Sequence, residues 1–149
     1  MVDVQRGLRA LILFAAIACL AAPVARAAEP IRLVERASNE HVLDLGAHGD
    51  SLGDLLVFAN PLYDAANAKA LGTSNGSCVR TVVGKRWQCA WTMTLATGQL
   101  QIGGEYPDEG DADFAITGGT GRYAGARGTL HVHARDAGHT SYDFIVSLL

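Results

Sequence analysis

Eight short segments in which apolar residues run together or alternate with polar ones recur at 31–37, 54–59, 73–83, 87–96, 99–106, 113–117, 128–135 and 140–148, with Gly, Asp and Asn clusters between them. Alternation with a period of two marks a strand with one buried face, and such punctuation favours hairpins. Apolar residues nowhere recur at helical spacing over a useful length, and the segments contain no repeat and no linker. A βαβ arrangement is therefore disfavoured, and an all-β fold is expected, either an antiparallel barrel or a sandwich. Eight strands closed on themselves enclose room for side chains or for one small ligand.

A chain of 149 residues is one ordinary domain in length, and 49% hydrophobic with 18% charged residues is a globular composition. The formal charge is −3 and no basic cluster is present, so the electrostatic footprint of a nucleic-acid-binding protein is missing. Arg6 and Arg9 precede an apolar run at 10–22, which leads through Pro23 to Ala25-Arg26-Ala27. A basic start, a short apolar stretch and a small-x-small site predict a signal peptide over 1–27, followed by the barrel domain over 28–149. The run is too short to span a bilayer comfortably, so the expectation is a secreted or periplasmic protein with no membrane association after cleavage. Cleavage leaves 9 basic and 14 acidic residues on 122, a net charge of −5. It also removes Cys19 and leaves Cys78 and Cys89 in an oxidising compartment.

The clearest hairpin joins 73–83 to 87–96 through Val83-Gly84-Lys85-Arg86. A pairing in which residue numbers sum to 167 sets Cys78 opposite Cys89, Arg80 opposite Trp87 and Gly76 opposite Trp91. A Cys78–Cys89 disulfide is then expected, the alternative being two separate buried thiols. Trp87, Cys89, Trp91 and Met93 share the predicted inner face. Their two indoles suit either an ordinary core or an aromatic pocket for an apolar ligand.

Several stretches resemble the plant allene oxide cyclases: Ser51-Leu52-Gly53-Asp54-Leu55, Phe58-Ala59-Asn60-Pro61-Leu62-Tyr63-Asp64, Lys69-Ala70-Leu71-Gly72 and Gly76-Ser77-Cys78-Val79. Gly104-Glu105-Tyr106 and the run from Phe114 through Gly118-Gly119-Thr120-Gly121 to Ala126-Arg127-Gly128 continue the likeness, and this last run is also similar to the dirigent proteins. The resemblance implies an eight-stranded antiparallel barrel, commonly trimeric, with an apolar cavity reached from one end. It also implies an activity exerted through positioning, either stereoselective cyclisation of an unstable fatty-acid epoxide or steering of a coupling reaction. No cofactor is expected, and the implied partner is a small apolar molecule, an oxidised lipid or a phenolic.

Position by position, the resemblance assigns Glu35 to the cyclase glutamate that stabilises developing positive charge, and Asn60 to the asparagine that helps hold a water. Cys78 matches a cavity cysteine, Tyr106 a tyrosine of the cavity rim, and Arg127 the dirigent arginine. Trp87 and Trp91 would shape the cavity. From the residues alone, Glu35 could equally be a solvated glutamate at a strand end, and Asn60 a turn residue before Pro61. Two departures stand out: Ala37 replaces a second water-holding asparagine of the cyclases, and Arg122 replaces the dirigent aspartate.

The remaining polar candidates are weaker. His131, His133 and His139 lack a thiolate or carboxylate at metal-site spacing, and the acidic stretch 108–113 lacks the ligand order of a calcium loop. The Gly-Gly-Thr-Gly turn is read as a tight turn with positive φ rather than a phosphate loop. Two function classes remain open: an exported stereo-directing cyclase with Glu35 as its electrostatic group, and a non-catalytic ligand-binding or structural barrel of the cell envelope.

Overall fold

A computed structural model of the chain describes residues 29–149; the expected signal peptide at 1–27 lies outside them. Nine strands follow one another: β1 (Ile31–Arg36), β2 (Glu40–Leu43), β3 (Leu55–Asp64), β4 (Ala70–Val82), β5 (Arg86–Leu95), β6 (Gly98–Pro107), β7 (Ala112–Gly119), β8 (Gly128–Ala134) and β9 (Ser141–Leu148). All pairings are antiparallel, and β1 closes the sheet by pairing with both β9 and β3. The result is the expected eight-stranded barrel, with β2 as an addition that the sequence pattern did not reveal.

β1 and β2 share one side of β3. Glu40–Leu43 pair with the first half of β3, and Leu33–Glu35 with Leu62–Asp64 at its end. Asn60 and Pro61 fall where β3 passes from one partner to the other, a place where a proline without a backbone donor is tolerated. All four residues of β2 are exposed, so this strand lacks the buried alternation by which the others were recognised.

The β4–β5 hairpin has the anticipated register, with Cys78 opposite Cys89, Arg80 opposite Trp87 and Gly76 opposite Trp91. Cys78 and Cys89 form a disulfide across a Cα separation of 4.0 Å. On β5, Trp87, Cys89, Trp91 and Met93 are buried and point inward, while the intervening residues face outward. Gly76 is required by close approach: a Cβ added there would sit 2.2 Å from the Trp91 Cβ.

The barrel is filled unevenly. Toward the end that carries the β3–β4 and β5–β6 turns, Leu62, Met93, Leu100, Leu130 and Val146 interdigitate with essentially no exposure, and Tyr123 plugs the opening from a single 3₁₀ turn at Gly121–Tyr123. That turn follows the Gly-Gly-Thr-Gly stretch, and Gly121 has the expected positive φ of 59°. A Cβ there would come within 2.6 Å of the Thr97 carbonyl oxygen. The opposite end, bounded by the β4–β5, β6–β7 and β8–β9 turns, is lined by larger aromatic residues and remains open.

The stretches that carry the resemblance organise this open end as well. Asp54 accepts hydrogen bonds from the Leu45 and Ser51 backbone N–H groups at 2.9 and 2.7 Å, pinning the loop between β2 and β3. Asp136 does the same for the β8–β9 turn, accepting from the Gly138, Thr140 and Ser141 backbones. These N–H donors stabilise its ionised form and hold its pKa down at about 2.

Candidate functional site

The open end encloses a cavity of about 70 Å3. Phe58, Trp91, Phe114, Tyr106 and Tyr142 supply most of its walls, and the Cys78–Cys89 disulfide forms part of one side. Trp91 meets Phe114 edge-on with centroids 4.6 Å apart, and Tyr106 stacks on Phe114 at 6.1 Å. The inward alternation of β9 brings Tyr142 across from Tyr106, at 6.5 Å. Of the two readings of the inner-face indoles, Trp91 is a cavity wall. Trp87 is core: it lies nearer the β4–β5 turn under the Arg80 guanidinium, 3.9 Å from its ring centre. Arg80 in turn pairs with Asp50 at 2.6 Å and with Asp108.

Glu35 lines the same cavity, immediately above the packed half of the barrel. It is only 6% exposed, so it is not a solvated strand-end glutamate. Its Oε1 accepts a hydrogen bond of 3.2 Å from the Asn60 amide. The Asn60 amide oxygen accepts from the Ser38 and Asn39 backbone N–H groups at 3.1 and 3.0 Å, which turns its nitrogen toward the carboxylate. Asn60 is thus no turn residue: it fastens the break between β1 and β2 and orients Glu35 in a single contact network.

Among the described residues, Glu35 Oε2 closes no hydrogen bond of good geometry. The Ser74 hydroxyl, paired in register with Asn60 and fully buried, lies close enough to favour the ionised form but closes no hydrogen bond of good geometry. Burial dominates this balance and pushes the carboxyl pKa from 4.5 to about 7, against the smaller opposing effects of Ser74 and Asn60. Glu40, also on the cavity wall, adds like-charge repulsion. A carboxyl poised near neutrality can hold a charge against a developing cation or exchange a proton. Burial also raises the pKa of Tyr106 and of Tyr142, keeping both phenols protonated at the mouth.

Sequence reasoning missed Ser74, Glu40 and Tyr142. The 167 register places Ser74 opposite Met93 on the inner face, and alternation through 140–148 places Tyr142 with Phe144, so both could have been found. Arg127 is a correction. It is exposed outside the packed end, where its guanidinium folds back onto the Ala126 carbonyl at 2.7 Å, and it lines no part of the cavity. Arg122 is likewise exposed on the 3₁₀ turn. His131 and His133 face Asp113 and Asp111 across β7 and β8, at 2.8 and 2.7 Å, while His139 sits beside the Tyr142 ring. The three histidines therefore do not converge.

The allene oxide cyclase family model matches residues 28–135. The chain belongs to the allene oxide cyclase family. Among solved structures, a pyocyanin demethylase is similar at 26% identity with a TM-score of 0.69, covering 79% of this chain and 99% of that one. A pterocarpan synthase dirigent protein is similar at 17% identity and TM-score 0.65, over 83% of this chain and 88% of its own. The Diels-Alderase AbmU from Streptomyces koyangensis shares the fold at 20% identity and TM-score 0.66, over 78% and 60% of the two chains.

Proposed function

We propose that this protein is an exported barrel that takes a small, largely apolar molecule into the cavity above Glu35 and steers its cyclisation or coupling. The observation that carries the reading is one buried carboxyl with an unpartnered oxygen at the floor of an aromatic cavity. In apolar surroundings an isolated negative charge is strongly felt by any positive charge that develops in a bound substrate, so Glu35 favours the pathway that places this charge beside it. The walls restrict the conformations from which the ring can close, which selects the product's handedness. Membership of the cyclase family, whose plant members the sequence resembles, supports this reading, as does the likeness to barrels named as a pterocarpan synthase dirigent protein and a Diels-Alderase. Export rests on the basic and apolar pattern of 1–27, and a homotrimer on the resemblance to the plant cyclases.

The test is chiral analysis of the ring-closed product when the mature protein is added to a reaction that generates a fatty-acid allene oxide. An enantiomeric excess with the native chain that collapses toward racemic with Glu35→Gln is the expected result. A racemic product from both proteins would overturn steering of this ring closure. It would favour the second reading, a non-catalytic carrier, for which Ala37 speaks because it brings no polar side chain to the site.

A further inference from the structure

Besides its carboxyl groups, the cavity carries its polarity in two phenols. Among the described residues that line it, Tyr106 and Tyr142 alone bring hydroxyl groups; the other walls are hydrocarbon, the Trp91 indole and the Cys78–Cys89 disulfide. Tyr142 is opposite Glu35 in the β1–β9 register, and both line the cavity, so phenol and carboxyl stand side by side on adjacent strands. Tyr106 reaches the same space from β6, and its ring meets that of Tyr142 edge-on at 6.5 Å. The two hydroxyls lie close enough to share a hydrogen bond, which works against burial at Tyr106 and with it at Tyr142; Tyr142 is therefore the donor. A phenol that accepts a hydrogen bond becomes a stronger donor, and the Tyr106 proton is left to face the cavity contents. Burial, and more weakly the charges of Glu40 and Glu35, keep both phenols protonated, the carboxyls acting through space.

One ligand can therefore meet a proton donor and a carboxyl at once. When a strained epoxide opens, its C–O bond breaks with the electron pair remaining on oxygen, and positive charge is left on carbon. Ring closure then forms a carbon–carbon bond and a neutral ketone, so no proton, electron or atom passes to the protein. We propose that Tyr106, oriented by Tyr142, is a donor subsite for an uncharged ligand oxygen of the epoxide or ketone class, placed so that Glu35 faces the carbon skeleton beside it. Tyr106 touches the ligand, whereas Tyr142 is a positioning residue that acts through Tyr106. The subsite steadies negative charge on oxygen while Glu35 steadies positive charge on carbon. This assignment rests on the reading of the cavity as the binding site and adds the functional group that the site recognises.

Indanone with an isotope-labelled carbonyl and indane, which has the same rings without oxygen, are the test probes. Equilibrium dialysis with the mature protein should show the ketone bound about ten-fold more tightly than indane. The infrared carbonyl stretch of bound indanone should lie below its position in hexane, as for a hydrogen-bonded ketone. Tyr106→Phe should abolish both the downshift and the preference while leaving indane affinity unchanged. Tyr142→Phe should reduce the downshift in part, a change that lost packing alone does not produce. Equal affinity for the two probes, or a stretch at its hexane position, would overturn the donor subsite while leaving the binding cavity in place. A downshift that persists in Tyr106→Phe would overturn the assignment to the phenol and pass it to the Trp91 indole N–H, which is buried without a partner. Binding of neither probe, with circular dichroism showing folded protein, would overturn the cavity reading and the subsite with it.

Discussion

Burial raises the free energy of the Glu35 carboxylate, and the fold answers with one firm hydrogen bond, from Asn60. Because the folded pKa of about 7 exceeds the unfolded value of 4.5, the native state holds its proton over a pH range in which the unfolded chain has lost it. Any stabilisation from this group is therefore fully present below the unfolded value and lost as pH rises through the folded one. Each unit of pH within that window costs roughly 1.4 kcal/mol, so the native chain should lose about 3 kcal/mol relative to Glu35→Gln between acidic and mildly alkaline pH. Paired urea unfolding curves at several pH values read this directly, and a stability difference that stays flat with pH would contradict it. At this scale the sequence was informative only in part. Resemblance singled out Glu35 and Asn60, but whether a glutamate near a strand end faces water or core depends on where the barrel closes. Arg127 shows the reverse failure: its motif matches, yet the local turn points it outside.

The β4–β5 hairpin was the most legible element, because a short turn fixes register and register fixes every facing pair. At Gly76 an added Cβ would sit 2.2 Å from the Trp91 Cβ and 2.5 Å from the Ala90 carbonyl oxygen, so Gly76→Ala must displace Trp91 or bend β4. The expected cost is about 1 to 3 kcal/mol, as for other overpacked cores, together with a shifted Trp fluorescence spectrum. An unchanged unfolding midpoint would mean that the strands separate freely at that pair. The disulfide spans a sequence separation of 11 residues. Closing a loop of that size restricts the unfolded chain enough to stabilise by roughly 3 kcal/mol, so the Cys78→Ser, Cys89→Ser double variant should unfold at correspondingly lower urea. A thiol assay on the unfolded, unreduced protein should detect neither cysteine; two free thiols would refute the bridge. β2 was illegible for a physical reason. A strand with all four residues exposed and a single neighbour has no apolar face to write into the sequence, and so Glu40 went unnoticed.

At the scale of the whole molecule, closure through β1 and β3 turns a sheet into a container, and the distribution of inward side chains decides which half is empty. Aliphatic residues fill one end; aromatic rings and the cross-strand disulfide line the space left at the other. The sequence implied eight strands and an inner face, but not this division, which depends on residues brought together by pairings remote along the chain. Its consequence is a carboxyl placed at the floor of the open half rather than at the surface. The most direct test of that arrangement is an NMR titration of the Glu35 side-chain carboxyl carbon, assigned with Glu35→Gln. A midpoint near 7 is predicted. A midpoint at the ordinary value of 4.5 would show a solvated group and contradict the account of a buried, weakly compensated charge beneath the cavity.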